Sequence, residues 1–201
     1  MIMHQIEFWF DFGSPYAYFG ALQIEEVAER YGRTVQWQPF MLGAAFAQTK
    51  MRLLTDTPLR GDYARHDWQR LARKLSAPFI LLEGFPAHSA KAGRAFYWLC
   101  DHQPHIAIPF AKAVFHNYFG EGTDGFSRTA VLGTAAECGA DVAELSVALD
   151  SDHLKQHFKV ITNAAIARGV FGSPFFFVDS EPFWGADRMA LIDEWLNRGG
   201  W

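Results

Sequence analysis

The chain is poor in cysteine: two in 201 residues, Cys100 and Cys138. They lie far apart and match no metal-binding or redox spacing. One disulfide between them stays open from sequence, but two inert buried thiols in a cytoplasmic protein are the expectation. Basic runs are also missing. With 18 Lys and Arg against 22 Asp and Glu, the net charge is −4, which argues against nucleic acid or an anionic membrane as partner. No uninterrupted apolar stretch is long enough to span a bilayer. The opening MIMHQIEFWFDF lacks a basic leader region, and Glu7 and Asp11 interrupt its apolar run, so it reads as a strand and not as a signal peptide. Three motifs are absent as well: a Gly-rich phosphate loop, a Gly-x-Ser-x-Gly elbow and a His-Glu-x-x-His pair. His102 with His105, and His153 with His157, have spacings compatible with metal. Without a carboxylate motif they read as solvated surface residues, and no metal is expected.

What the chain has in excess is aromatic residues: 19 Phe, 7 Trp and 6 Tyr. Such rings bury large areas, so any one of them is first a core residue, while the surplus can also line an apolar ligand site. Half the residues are hydrophobic and a fifth charged, an ordinary globular balance. The length suits one domain, or one carrying a large insertion.

Ile6, Phe8, Phe10 and Phe12 alternate with Glu7, Trp9 and Asp11, the period of a strand. Ser14-Pro15 then reads as a helix cap and first helical residue. Ile24, Val27, Ala28 and Tyr31 give a helix with one apolar face, which Gly32 can close. Thr34 to Phe40 alternates again. From about Met41 the chain turns helical. Helices are expected around Ala64–Leu75, from Ser89 to His102, from Pro109 to about Phe119, from Ser127 to Cys138, from Asp141 to Leu149 and from Asp152 to Arg168. Phe175 to Asp179 is a short apolar strand, with Pro182 to Trp184 an edge strand beside it, and Asp187 opens a last helix. Ends that are α/β around a helical middle suit a sheet domain interrupted by helices.

Three places can carry chemistry. Ser14 sits where a strand hands over to a helix, a position that favours an anion; the dipeptide alone reads as an ordinary cap. Ser173-Pro174 precedes the Phe-rich strand, and local sequence alone predicts a trans turn. Asp187-Arg188 pairs a carboxylate with a guanidinium, suited to an ammonium and a carboxylate on a ligand, although Asp is also a normal first-turn residue.

Taken in order, FWFDFGSPYAYFG, WQPFMLGAAF and GVFGSPFFFVDSEPFWGADRMALIDEWL resemble the 2-hydroxychromene-2-carboxylate isomerases and kappa-class glutathione transferases, members of the DsbA-like branch of the thioredoxin superfamily. YARHDWQRLA, FPAHSAKAGRA and VFHNYFGEGTDGFSR follow the same spacing, so the resemblance spans nearly the whole chain. It implies an α/β thioredoxin-like fold: a central mixed sheet flanked by helices, with an inserted all-α domain. Residues 1–40 and 160–201 would form the thioredoxin-like part and 41–159 the insertion. It implies glutathione as cofactor and an aromatic or electrophilic small molecule as substrate, and it makes a homodimer an expectation.

The resemblance also assigns roles. Ser14 takes the place of the attacking cysteine and hydrogen-bonds the glutathione sulfur. With no cysteine in Ser14-Pro15-Tyr16-Ala17, dithiol exchange through this motif is chemically closed. Pro174 is similar to the family's cis-proline, and Ser173 pairs with the cysteinyl backbone in the manner of an added strand. Ala186 and Asp187 hold the γ-glutamyl end, and Arg188 orders that corner. Tyr16 and Lys50 are substrate-pocket candidates. The chain departs from the pattern at Met51, where the family commonly carries a ligand-contacting asparagine, and at Arg60, where lysine is frequent. Three activities follow: isomerase, glutathione transferase conjugating electrophiles, and a thiol- or peptide-binding module without turnover.

Overall fold

The computed structural model describes residues 5–201; Met1–His4, the start of the segment read as lacking a leader, lie outside the described residues. The alternating residues form β1 (Ile6–Phe10), which pairs in parallel with β2 (Val35–Pro39), Phe8 opposite Trp37. On its other side β1 runs antiparallel to β3 (Phe175–Val178), Phe8 opposite Phe176. β4 (Glu181–Trp184) closes a hairpin with β3, giving a four-stranded mixed sheet in the order β2-β1-β3-β4. Only β2 and β3, consecutive in the chain, end up apart, because the last hairpin is laid against the first strand.

The connection from β1 to β2 is broken into α1 (Pro15–Ala21) and α2 (Ile24–Arg30). Between them the Gln23 amide donates to the Phe19 carbonyl at 2.8 Å. Past β2 come α3 (Leu42–Thr49), a 3-10 turn over Leu54–Asp56, and α4 (Arg60–Leu75). Then follow α5 (Ala90–His102), α6 (Pro104–Phe115), α7 (Arg128–Glu137), α8 (Val142–Ala148) and α9 (Asp152–Ala167). Among the described residues no strand falls between Pro39 and Phe175. The chain ends in α10 (Met189–Arg198).

Helix starts are where the sequence reading needs correction. The helix expected from Pro109 begins at Pro104 and carries Pro109 inside it. Either proline can open a helix, but Ile106, Phe110 and Val114 bury one stripe that continues on both sides of Pro109, which itself faces outward, and that burial outweighs the ~3 kcal/mol penalty of an interior proline. The last helix starts at Met189, not Asp187, because Ala186–Arg188 forms a 3-10 turn first. The peptide bond Ser173-Pro174 is cis, against the trans turn predicted locally and in line with the resemblance.

Most of the aromatic surplus is core. Phe8 stacks on Phe10 at 4.7 Å and meets Trp37 edge-on at 5.0 Å, and Phe10 reaches Phe115 of α6 at 5.4 Å. A second cluster covers the opposite sheet face, with Trp9, Phe175 and Phe177 packed beside Phe40, Ala165 and Val170. Both faces are therefore dry, which is why Trp9 is buried although alternation puts it beside polar neighbours. The two thiols are free and only partly buried, and burial pushes both up, Cys100 to about 11. They stay protonated near neutrality.

Candidate active site

At the end of β1 the chain turns through Phe12 and Gly13 into α1, and Ser14 caps that helix. Its Oγ accepts the Ala17 N–H at 3.2 Å. The same hydroxyl donates to the Ser173 carbonyl at 2.9 Å. Ser14 and Ser173 are 7% and 8% exposed, so this donor is held in place and nearly shielded from water. The cap expected at Ser14 is thus present, and the same hydroxyl also ties α1 to the loop before β3.

Asp11 lies beneath this pair. Its Oδ1 accepts the Gly13 N–H at 2.8 Å and the Ser89 hydroxyl at 2.5 Å, and its Oδ2 accepts the Leu42 N–H at 2.9 Å. Its own N–H donates to Ser173 Oγ at 2.8 Å. One residue thus fixes the Gly13 turn, the first residue of α3, the residue before α5 and the loop before β3. In the sequence Asp11 shows only as a break in an apolar run.

On the far side, β4 delivers Gly185, whose N–H donates to the Pro174 carbonyl at 3.1 Å. Gly185 has φ 111°, and an added Cβ would fall 2.3 Å from Asp187 Oδ1, so glycine is required to turn Ala186–Arg188 toward Ser173. Asp187 and Arg188 sit 3.3 Å apart as an exposed pair.

Ser14, Tyr16, Lys50, Ser173, Ala186, Asp187 and Arg188 line one cavity of about 880 Å³. Of the residues singled out from sequence, only Pro174 stands behind the wall, its ring 3.3 Å from where a Cβ on Gly20 would lie. Met51 and Arg60, the two departures from the family pattern, are in the wall as well. Sequence reasoning missed Arg52, Asp67 and Trp184, which also line it. A cation three residues along from Asp67, Arg70, was the available clue: its Nη1 bonds Asp67 Oδ1 at 2.7 Å. Tyr16 donates to Asp67 Oδ2 at 3.0 Å. Burial, then the charge and hydrogen bond of Asp67, push the Tyr16 phenol far up, so it is neutral throughout the physiological range. The wall is cation-rich: among the described residues Lys50, Arg52 and Arg60 have no carboxylate within ion-pair reach. In a chain of net charge −4, that concentration suits an anionic ligand.

Residues 5–197 match the DSBA-like thioredoxin domain model, and the chain belongs to that family. Among its relatives are the 2-hydroxychromene-2-carboxylate isomerases of Sphingobium xenophagum, 26% identical over 95% of this chain and 97% of that one, and of Pseudomonas putida, 27% identical over 96% and 94%. Glutathione s-transferase kappa 2 of Caenorhabditis elegans is 23% identical over 95% of this chain and 91% of its own. A solved 2-hydroxychromene-2-carboxylate isomerase superposes with a TM-score of 0.87 at 25% identity, covering 96% of this chain and 94% of that one. The fold is accordingly thioredoxin-like of the DsbA kind, as the resemblance implied.

Proposed function

We propose that the chain is a glutathione-dependent isomerase that converts 2-hydroxychromene-2-carboxylate, or a close aromatic analogue, to trans-o-hydroxybenzylidenepyruvate. The observation that carries this reading is the Ser14 hydroxyl, buried at the start of α1 and 2.9 Å from the Ser173 carbonyl, in the wall of a cavity with surplus cations. Relatives named as isomerases and as a glutathione transferase support it. The residues fit glutathione: Ser173 offers its backbone to the cysteinyl unit, Ala186 and Asp187 receive the γ-glutamyl end, Arg188 orders that corner, and Ser14 faces the sulfur. When bound, glutathione supplies a nucleophilic thiolate, regenerated in an isomerisation and consumed in a conjugation. A cytoplasmic setting, where glutathione is abundant and thiols stay reduced, belongs to the same reading.

The part played by Ser14 is an exchange of acceptors. At rest its proton serves the Ser173 carbonyl, a neutral bond contributing ~0.5–1.5 kcal/mol net, whereas a bond to an anionic sulfur contributes ~1.5–3 kcal/mol. The difference is about 1–1.5 kcal/mol, or about one pKa unit on the thiol. α1 has only seven residues, so its dipole adds little, ~0.3 kcal/mol. Starting from a thiol pKa of about 8.5, a shift of this size makes thiolate a substantial species near neutrality without a base.

The test is to follow absorbance of the chromene acid with and without glutathione. Conversion should require glutathione and leave its concentration unchanged, and Ser14→Ala should lower the rate about tenfold while raising the bound thiol's pKa. Full activity in Ser14→Ala would sink the mechanism. Stoichiometric loss of glutathione would instead favour conjugation, the activity named for the Caenorhabditis elegans relative.

A further inference from the structure

Tyr16 is two residues past Ser14 and lines the same cavity. Its ring is held edge-on to Trp68 with centroids 5.9 Å apart, and its hydroxyl proton is committed: Oη donates to Asp67 Oδ2 at 3.0 Å. Asp67 is itself held by Arg70, which bonds the other oxygen at 2.7 Å, and its side chain is only one-fifth exposed. An acceptor-only carboxylate so placed fixes the direction of the phenol proton. A phenol has one proton and two lone pairs; with the proton spent on Asp67, Tyr16 can offer a cavity ligand only an acceptor.

The geometry points to Tyr16 as a specificity-determining residue that accepts a hydrogen bond from a hydroxyl on an aromatic substrate, with Asp67 as the residue that positions it. The inference rests on the proposed function for the choice of an aromatic ligand, and it adds what that ligand must carry. A hydroxyl donor is favoured, and an ether or carbonyl oxygen at the same place meets a lone pair and is rejected. Lys50, Arg52 and Arg60 in the same wall serve an anionic group on the ligand and do not distinguish hydroxyl from ether.

The experiment is a binding titration with the full chain, which needs no turnover. 2-Hydroxycinnamate and 2-methoxycinnamate are each titrated into wild type, Tyr16→Phe and Asp67→Asn, with glutathione titrated in parallel. Wild type should bind the hydroxy acid about tenfold more tightly than the methoxy acid, and Tyr16→Phe should bring the ratio close to one. Asp67→Asn should also lower it, because the amide can donate to Tyr16 and turn the phenol proton toward the cavity; an effect on stability alone would weaken both acids equally. A ratio near one in wild type, or an unchanged ratio in Tyr16→Phe, overturns the inference. Loss of glutathione binding in wild type would instead overturn the proposed function, whatever the cinnamate ratio.

Discussion

Asp11 joins parts of the chain that sequence keeps apart: Gly13, Leu42, Ser89 and Ser173 all bond to it. The cap at Ser14 was legible because its determinants are local, a Pro in the next position and a helical run after it. Asp11 was not, since nothing near it announces partners so distant. Tyr16 and Asp67 are 51 residues apart, and their pairing was equally hidden. Gly172 is a third case at this scale. An added Cβ would fall 2.0 Å from Trp184 Nε1, yet the indole is 46% exposed and can swing outward. Gly172→Ala should therefore keep the fold while shifting the cavity wall: glutathione binding should weaken roughly tenfold, about 1.4 kcal/mol, with little change in Tm, as calorimetric titration and thermal melting can check.

At the scale of elements, the sheet is tied to α9 through Arg168. Its guanidinium bonds both oxygens of Glu7 on β1, at 2.5 and 2.9 Å, and lies 4.5 Å from the Phe177 ring on β3. Burial works to raise the Glu7 carboxyl, but the hydrogen bonds from Arg168 and Trp9, with the Arg168 charge, outweigh it and hold it below its ordinary value of 4.5. A depressed carboxylate contributes stability that is present above its unfolded value and lost as pH falls through the folded one. Tm of wild type should thus exceed that of Glu7→Gln at neutral pH, and the gap should close as pH drops below 4.5. The crossing of α5 and α9 is set differently. A Cβ on Gly93 would lie 2.4 Å from the Phe158 ring, which is buried. Gly93→Ala should destabilise by about 1–3 kcal/mol, read from denaturant melts, without altering ligand preference. Element types were mostly readable from period and caps. What failed was the helix start placed at Pro109, because the burial that carries the helix back to Pro104 comes from helices elsewhere in the chain.

For the whole molecule, charge is unevenly placed. The chain is net negative, while Lys50, Arg52, Arg60 and Arg188 gather on one cavity. Attraction of anionic aromatic acids should therefore be screened by salt. Raising ionic strength from low values to about 0.5 M should weaken 2-hydroxycinnamate binding several-fold, and Arg52→Gln should flatten that dependence. An affinity indifferent to salt would place the acid's recognition in the apolar wall alone.

The wall from Lys50 to Arg60 is a single run of chain. Asp56 N–H bonds the Leu53 carbonyl, Thr57 bonds Leu53 and Leu54, and Gly61 N–H returns to Thr57, so the run is organised by itself and by the start of α4. The frame around Ser14 draws on other residues altogether. The two parts can therefore change independently. A lineage can rewrite the cation-bearing side of the cavity by editing one contiguous stretch, while Tyr16 with Asp67, the Ser14 hydroxyl, its carbonyl partner and Asp11 beneath them keep their spacing. Grafting that stretch from a relative is then a route to new substrates that leaves the chemistry where it stands.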